Sequence, residues 1–99
     1  MLKKQFLKNK PVCKVTFYTE ALEGESAFVV GDFNNWNAEQ HPMQKLKDGR
    51  FKTVIDLESG KEFAFRYLVN GAWYNDAEPD SEIQNEFGGT NSVVSTIEN

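Results

Sequence analysis

Four acids alternate along Asp76, Glu78, Asp80 and Glu82, a spacing that could in principle present oxygens to calcium. A calcium loop of the helix-loop-helix kind needs glycine at its sixth position and an acid at its twelfth. Counted from Asp76, those positions hold Ser81 and Phe87, so the run reads as a solvated acidic loop. Paired carboxylates could instead hydrolyse a glycosidic bond, but that chemistry needs a set separation inside a deep cleft, and short strands offer only a surface. His41 is the only histidine and adjoins Pro42, with no second histidine or cysteine nearby. It completes neither a metal site nor a nucleophilic triad. Gly88-Gly89 lacks the downstream lysine and helix of a phosphate loop. Cys13 is the lone cysteine, which excludes an internal disulfide, and its place between Val12 and Val15 predicts a buried thiol. No catalytic residue, metal ligand or cofactor site is expected.

What remains is recognition by aromatic faces and hydrogen-bonding groups. Asn70-Gly71 is a two-residue hairpin signal. Such a turn pairs Val69 with Ala72, Leu68 with Trp73, Tyr67 with Tyr74 and Arg66 with Asn75. Opposed residues share a face and faces alternate along a strand. One face therefore holds Phe63, Phe65, Tyr67, Val69 and Tyr74, and is expected in the core. The other holds Ala64, Arg66, Leu68, Trp73 and Asn75. An indole beside a guanidinium and an amide on an open sheet is the composition of a binding platform.

The elements that must position these residues have period two. Val12–Thr19 reads as a strand with Cys13, Val15 and Phe17 on one face, and Ser26–Val30 as a second. Gly31–Pro42 is a long polar segment rich in asparagine. Met43–Lys47 and Arg50–Leu57 flank the hairpin signal Asp48-Gly49. Glu62–Val69, Ala72–Asn75 and Asn91–Ile97 follow, and Asp76–Gly89 reads as irregular. The pattern predicts an all-β antiparallel sandwich of seven or eight short strands over residues 11–99, behind a basic extension at 1–10.

Composition narrows the partners. A chain of 99 residues holds one core, and 39% hydrophobic with 26% charged residues is ordinary for a globular domain. No run reaches the roughly 18 apolar residues of a membrane-spanning helix. Residues 1–14 carry Lys3, Lys4, Lys8, Lys10 and Lys14 and no acid, so the remainder bears −9 of a total of −4. An acidic body repels phosphate backbones, which argues against nucleic acid, and five lysines with few apolar neighbours make a poor membrane anchor. The first residues lack the apolar stretch of a secretory signal, so a cytoplasmic location is expected.

At Gly31-Asp32-Phe33-Asn34-Asn35-Trp36 the sequence becomes recognisable. With Phe51, Phe65-Arg66-Tyr67-Leu68-Val69-Asn70-Gly71, Trp73, Asp76 and Phe87-Gly88-Gly89-Thr90-Asn91-Ser92, it resembles the family 48 carbohydrate-binding modules. These are immunoglobulin-like early set domains of isoamylases and glycogen branching enzymes. The glycogen-binding domain of the AMP-activated protein kinase β subunit belongs to the same group. The likeness spans about residues 12–98. It implies that Trp36 and Trp73 stack on glucose rings, that Arg66 and Asn91 meet hydroxyls, and that Phe87 inserts from a loop against the oligosaccharide. The apolar face of glucose suits flat indoles, and its rim of hydroxyls needs donors and acceptors around them. Gly89 stands where the family has threonine, so one hydroxyl contact has no side chain to make it. Asn70 replaces an aspartate before the turn glycine and Ala77 a proline, changes that bear on the turn rather than the sugar. Enzymes of this group keep catalysis in a separate barrel. The resemblance thus implies a free-standing, non-catalytic module that binds α-glucan such as glycogen or malto-oligosaccharides. The alternative is a domain that has lost sugar binding and serves as a protein-interaction scaffold for a glycogen-metabolising enzyme.

Overall fold

A computed structural model describes residues 1–98. These residues form nine strands: β1 (Leu2–Phe6), β2 (Val12–Tyr18), β3 (Ala27–Gly31), β4 (Gln44–Lys45), β5 (Phe51–Glu58), β6 (Glu62–Val69), β7 (Ala72–Tyr74), β8 (Ser81–Gln84) and β9 (Thr90–Ser95). They form two antiparallel sheets, ordered β1-β2-β5-β4 and β3-β6-β9-β8, with β7 also paired to β6. The sheets close on each other as a sandwich.

Period-two alternation fixes what each sheet buries. Cys13, Val15 and Phe17 from β2 meet Phe65, Tyr67 and Val69 from β6, all fully or almost fully buried. The Phe17 and Phe65 rings cross edge to face with centroids 5.1 Å apart, and Phe65 meets Tyr67 in the same manner at 5.5 Å. The first of these contacts joins the two layers, and the second packs neighbouring rings along β6. Phe63 and Tyr74, expected in the core, are only half-buried and pack on its margin, Phe63 against Phe33.

The Asn70-Gly71 hairpin has the anticipated register, with Tyr67 opposite Tyr74, Leu68 opposite Trp73 and Val69 opposite Ala72. Asn70 and Gly71 both take positive φ, 46° and 80°, as a tight hairpin turn requires. Asn70 does a second job, since its Oδ1 accepts the backbone N–H groups of Glu25 and Ser26 at 3.0 and 3.1 Å.

Two segments differ from the sequence expectation. Residues 1–10, read as a basic extension, supply the edge strand β1 along β2, with Leu2 opposite Phe17 and Phe6 opposite Cys13. Leu2 and Phe6 pack on the core while the lysines between them stay exposed. Four-residue spacing of the apolar side chains among lysines conceals a strand that needs only two inward anchors. The acidic stretch after Tyr74 is likewise not a solvated loop throughout. Asp76 is buried and accepts the Tyr67 hydroxyl at 2.5 Å, while Lys4 reaches Asp80 at 2.6 Å. β8 then pairs with β9 along the edge of the second sheet. Its four residues are all exposed and give no apolar signal, because the backbone ladder to β9 positions it without inward side chains.

Candidate functional site

The outer face of the second sheet carries an open groove of about 830 Å³. Trp36, Arg66, Trp73, Phe87 and Asn91, the five residues singled out in the sequence, all line it. Trp36 is 38% and Trp73 45% exposed, so neither indole is absorbed into the core.

β6 and β7 place the floor. Leu68 opposite Trp73 puts the indole on the outer face, and Arg66, two residues back along β6, shares that face. The Arg66 guanidinium lies over the Trp73 ring at 5.8 Å from its centroid. Its Nε–H donates to Asn75 Oδ1 at 3.2 Å, and the Asn75 amide donates to the Thr90 carbonyl and hydroxyl at 3.1 Å each. This relay holds Arg66 at one end and leaves the other end of the guanidinium toward the groove.

The far wall is the turn between β8 and β9. The Asn85 Oδ1 accepts the backbone N–H groups of Phe87 and Gly89 at 2.9 and 3.1 Å. Winding around one amide, the turn pushes Phe87 out until 88% of it is exposed. The Asn85 amide also donates to Asn91 Oδ1 at 3.3 Å, which orients the Asn91 amide. Ile83 stands opposite Asn91 in the β8–β9 ladder, lines the groove and is 54% exposed. Sequence reasoning missed Ile83 because it missed β8. With Ile83 the single apolar residue of Ser81–Gln84, no alternation in the sequence marks that strand.

The near wall is the Gly31–Pro42 segment. Asn34, at the end of a 3₁₀ turn (Asp32–Asn34), is buried and fully used. Its Oδ1 accepts the Gly31 N–H at 3.0 Å, and its amide donates to the Val29 carbonyl at 3.0 Å. The amide also lies 2.9 Å from His41 Nδ1. Since Asn34 must donate there, His41 accepts and is neutral, with its proton on Nε2. His41 and Met43 continue along the same edge of β3, where Val29 N–H donates to the His41 carbonyl and Met43 N–H to Ala27. A segment with only one short 3₁₀ turn thus closes a sheet edge and delivers Trp36 to the groove.

Burial pushes the His41 imidazole below its ordinary value of 6.5. The folded chain therefore binds fewer protons there than the unfolded chain, and stability present above about pH 6.5 is lost as pH falls. Thermal midpoints of the native protein and of His41→Gln, taken between pH 7.5 and pH 5, should diverge, the native falling more steeply. Parallel curves would remove His41 from the acid response.

Among the described residues no three His, Cys, Asp or Glu side chains are grouped to hold a metal ion. Residues 14–99 match the model of the glycogen recognition site of AMP-activated protein kinase. The chain belongs to this family. As a glycogen-recognition module it is a carbohydrate-binding domain, non-catalytic in itself. It is 34% identical over 85% of its length to the chloroplastic phosphoglucan phosphatase LSF1 of Arabidopsis thaliana. It is 40% identical over 57% of its length to the 1,4-alpha-glucan branching enzyme GlgB of Photobacterium profundum. The corresponding enzyme of Prochlorococcus marinus is 31% identical over 89% of the module. In those proteins the match covers 14%, 8% and 12% of the whole, so the module spans a small part of each.

Proposed function

We propose that this domain binds α-glucan, the chemistry of glycogen, starch and malto-oligosaccharides, by laying glucose rings on Trp36 and Trp73. One observation carries the reading: two half-exposed indoles from separate segments face one groove, with a guanidinium and an amide beside them. Flat apolar rings bury the C–H faces of a sugar and leave its hydroxyls to groups at the rim. Arg66 and Asn91 supply those groups here, and Phe87 and Ile83 give apolar contact where a longer chain runs on. The domain catalyses nothing; it brings a glucan-acting enzyme, bound or covalently joined, to its polymer. The acidic surface suits a neutral polymer better than nucleic acid, and the lone buried thiol suits the cytoplasm.

An open groove excludes little water, and sugar hydroxyls trade one set of hydrogen bonds for another, so the net gain is small. Maltoheptaose should bind with a Kd between about 10 μM and about 1 mM, roughly 4 to 7 kcal/mol. Titration calorimetry, with cello-oligosaccharide as control, and electrophoresis through glycogen-containing gels measure this. No heat and no retardation would sink the glucan reading and direct attention to a protein occupant of the groove.

A further inference from the structure

Asp32 lies in the groove wall, and its carboxylate is committed at both oxygens. Oδ2 accepts the backbone N–H of Ala64 on β6 at 2.8 Å. Oδ1 accepts the indole Nε1–H of Trp36 at 3.0 Å. One side chain therefore ties the Trp36 ring to the strand that also carries Arg66 and pairs with Trp73. Asn35 and Trp36 both adopt the left-handed region, φ 55° and 58°. That region is unusual for one bulky residue and costly for two non-glycine residues in succession. The Trp36 N–H returns to the Gly31 carbonyl at 2.9 Å, which winds the loop into this conformation. Such strain persists only where surrounding contacts over-determine it. The Trp73 indole N–H, in contrast, has no acceptor among the described residues.

We infer that Asp32 is a positioning residue for glucan binding: its carboxylate locks the Trp36 indole in the plane that meets the sugar, so that the ring is ordered before the ligand arrives. The inference rests on the glucan reading for its purpose and on the geometry of the loop for its mechanism. A ring already fixed loses little rotational freedom on binding, which favours affinity without any contact between Asp32 and sugar. Because the carboxylate occupies the indole N–H, Trp36 offers the ligand its face alone.

Hydrogen exchange of the two indole protons in the native protein, followed by NMR without ligand, tests the lock. The Trp36 proton should exchange at least about tenfold more slowly than the Trp73 proton, although the rings are similarly exposed. Equal rates would overturn the inference whether or not glucan binds. The purpose is tested by a double-mutant cycle with maltoheptaose, read by calorimetry. Asp32→Ala should weaken binding about three- to tenfold in the native background and less than about twofold beside Trp36→Ala. An equal loss in both backgrounds would mean that Asp32 touches sugar itself, and would overturn the positioning role. Should Asp32→Ala fail to fold, the exchange rates of the native protein still decide.

Discussion

Trp73→Ala should weaken maltoheptaose binding about 5- to 150-fold while leaving the fold intact. The range follows from stacking on an aromatic side chain, taken by analogy with nucleic-acid bases as roughly 1–3 kcal/mol per ring. The fold survives because Trp73 lies on the outer face of a three-residue strand, outside the buried core. Its loss also removes the surface on which Arg66 rests, so the figure contains some disordering of the guanidinium. Arg66→Ala alone should cost less, about fivefold, as the loss of one exposed hydrogen-bonding group. Phe87→Ala should matter more as the glucan lengthens, since the ring stands beyond the sheet at the tip of a turn. Calorimetry across malto-oligosaccharides of increasing length separates these effects. Native affinity in Trp73→Ala would show that sugar does not stack on β7.

The largest expected loss of stability is at Asn34. Asn34→Ala strands the Gly31 N–H and the Val29 carbonyl, which are bound by the lost amide in a buried site. Each buried polar group left without a partner costs roughly 1–3 kcal/mol. For a domain of this size, a total of about 2 kcal/mol or more lowers Tm by at least about 8 °C. Asn34→Asp should be nearly as harmful, because a carboxylate can serve Gly31 but turns an acceptor toward the Val29 carbonyl. Glucan affinity should fall in both variants, since the same amide anchors the loop bearing Trp36. Scanning calorimetry of the two variants is the measurement. A shift under about 3 °C in Asn34→Ala would show that the loop holds without its amide.

The floor of the groove was legible because one hairpin determined it. A two-residue turn leaves a single register, and alternation then assigns Arg66 and Trp73 to the same face without further information. The near wall could not be derived that way. Asn34, Asn35 and Trp36 lie in a segment with no periodicity, and only the likeness to known modules placed Trp36 beside Trp73. Of its anchors, Asn34 bonds back to Gly31 and Val29 on the strand just before it, whereas Asp32 reaches Ala64 on β6, a partner that nothing local in the sequence names. β1 and β8 escaped for a related reason. Edge strands are held by backbone bonds along one side and need few inward apolar residues, so charge dominates their appearance. Asp76 reads as one more acid in an acidic run, yet its neighbours in space are a buried tyrosine and Ser92 Oγ, which accepts its backbone N–H.

The edge strand β1 gives Cys13 a second significance. The thiol sits on β2 opposite Phe6, inaccessible to solvent, and burial raises it above its usual ionisation range. A thiol-specific reagent needs an exposed thiolate, so it can react only during moments when the chain around Cys13 has opened. Such openings are local fluctuations with their own free energy, smaller than that of global unfolding when an edge element is what leaves. Where reclosing outpaces labelling, the modification rate divided by that of a free thiol is the equilibrium constant of the opening that uncovers Cys13. The lone cysteine is in this sense a clock set into the seam between the first two strands, and it counts how often the margin of the sandwich comes apart.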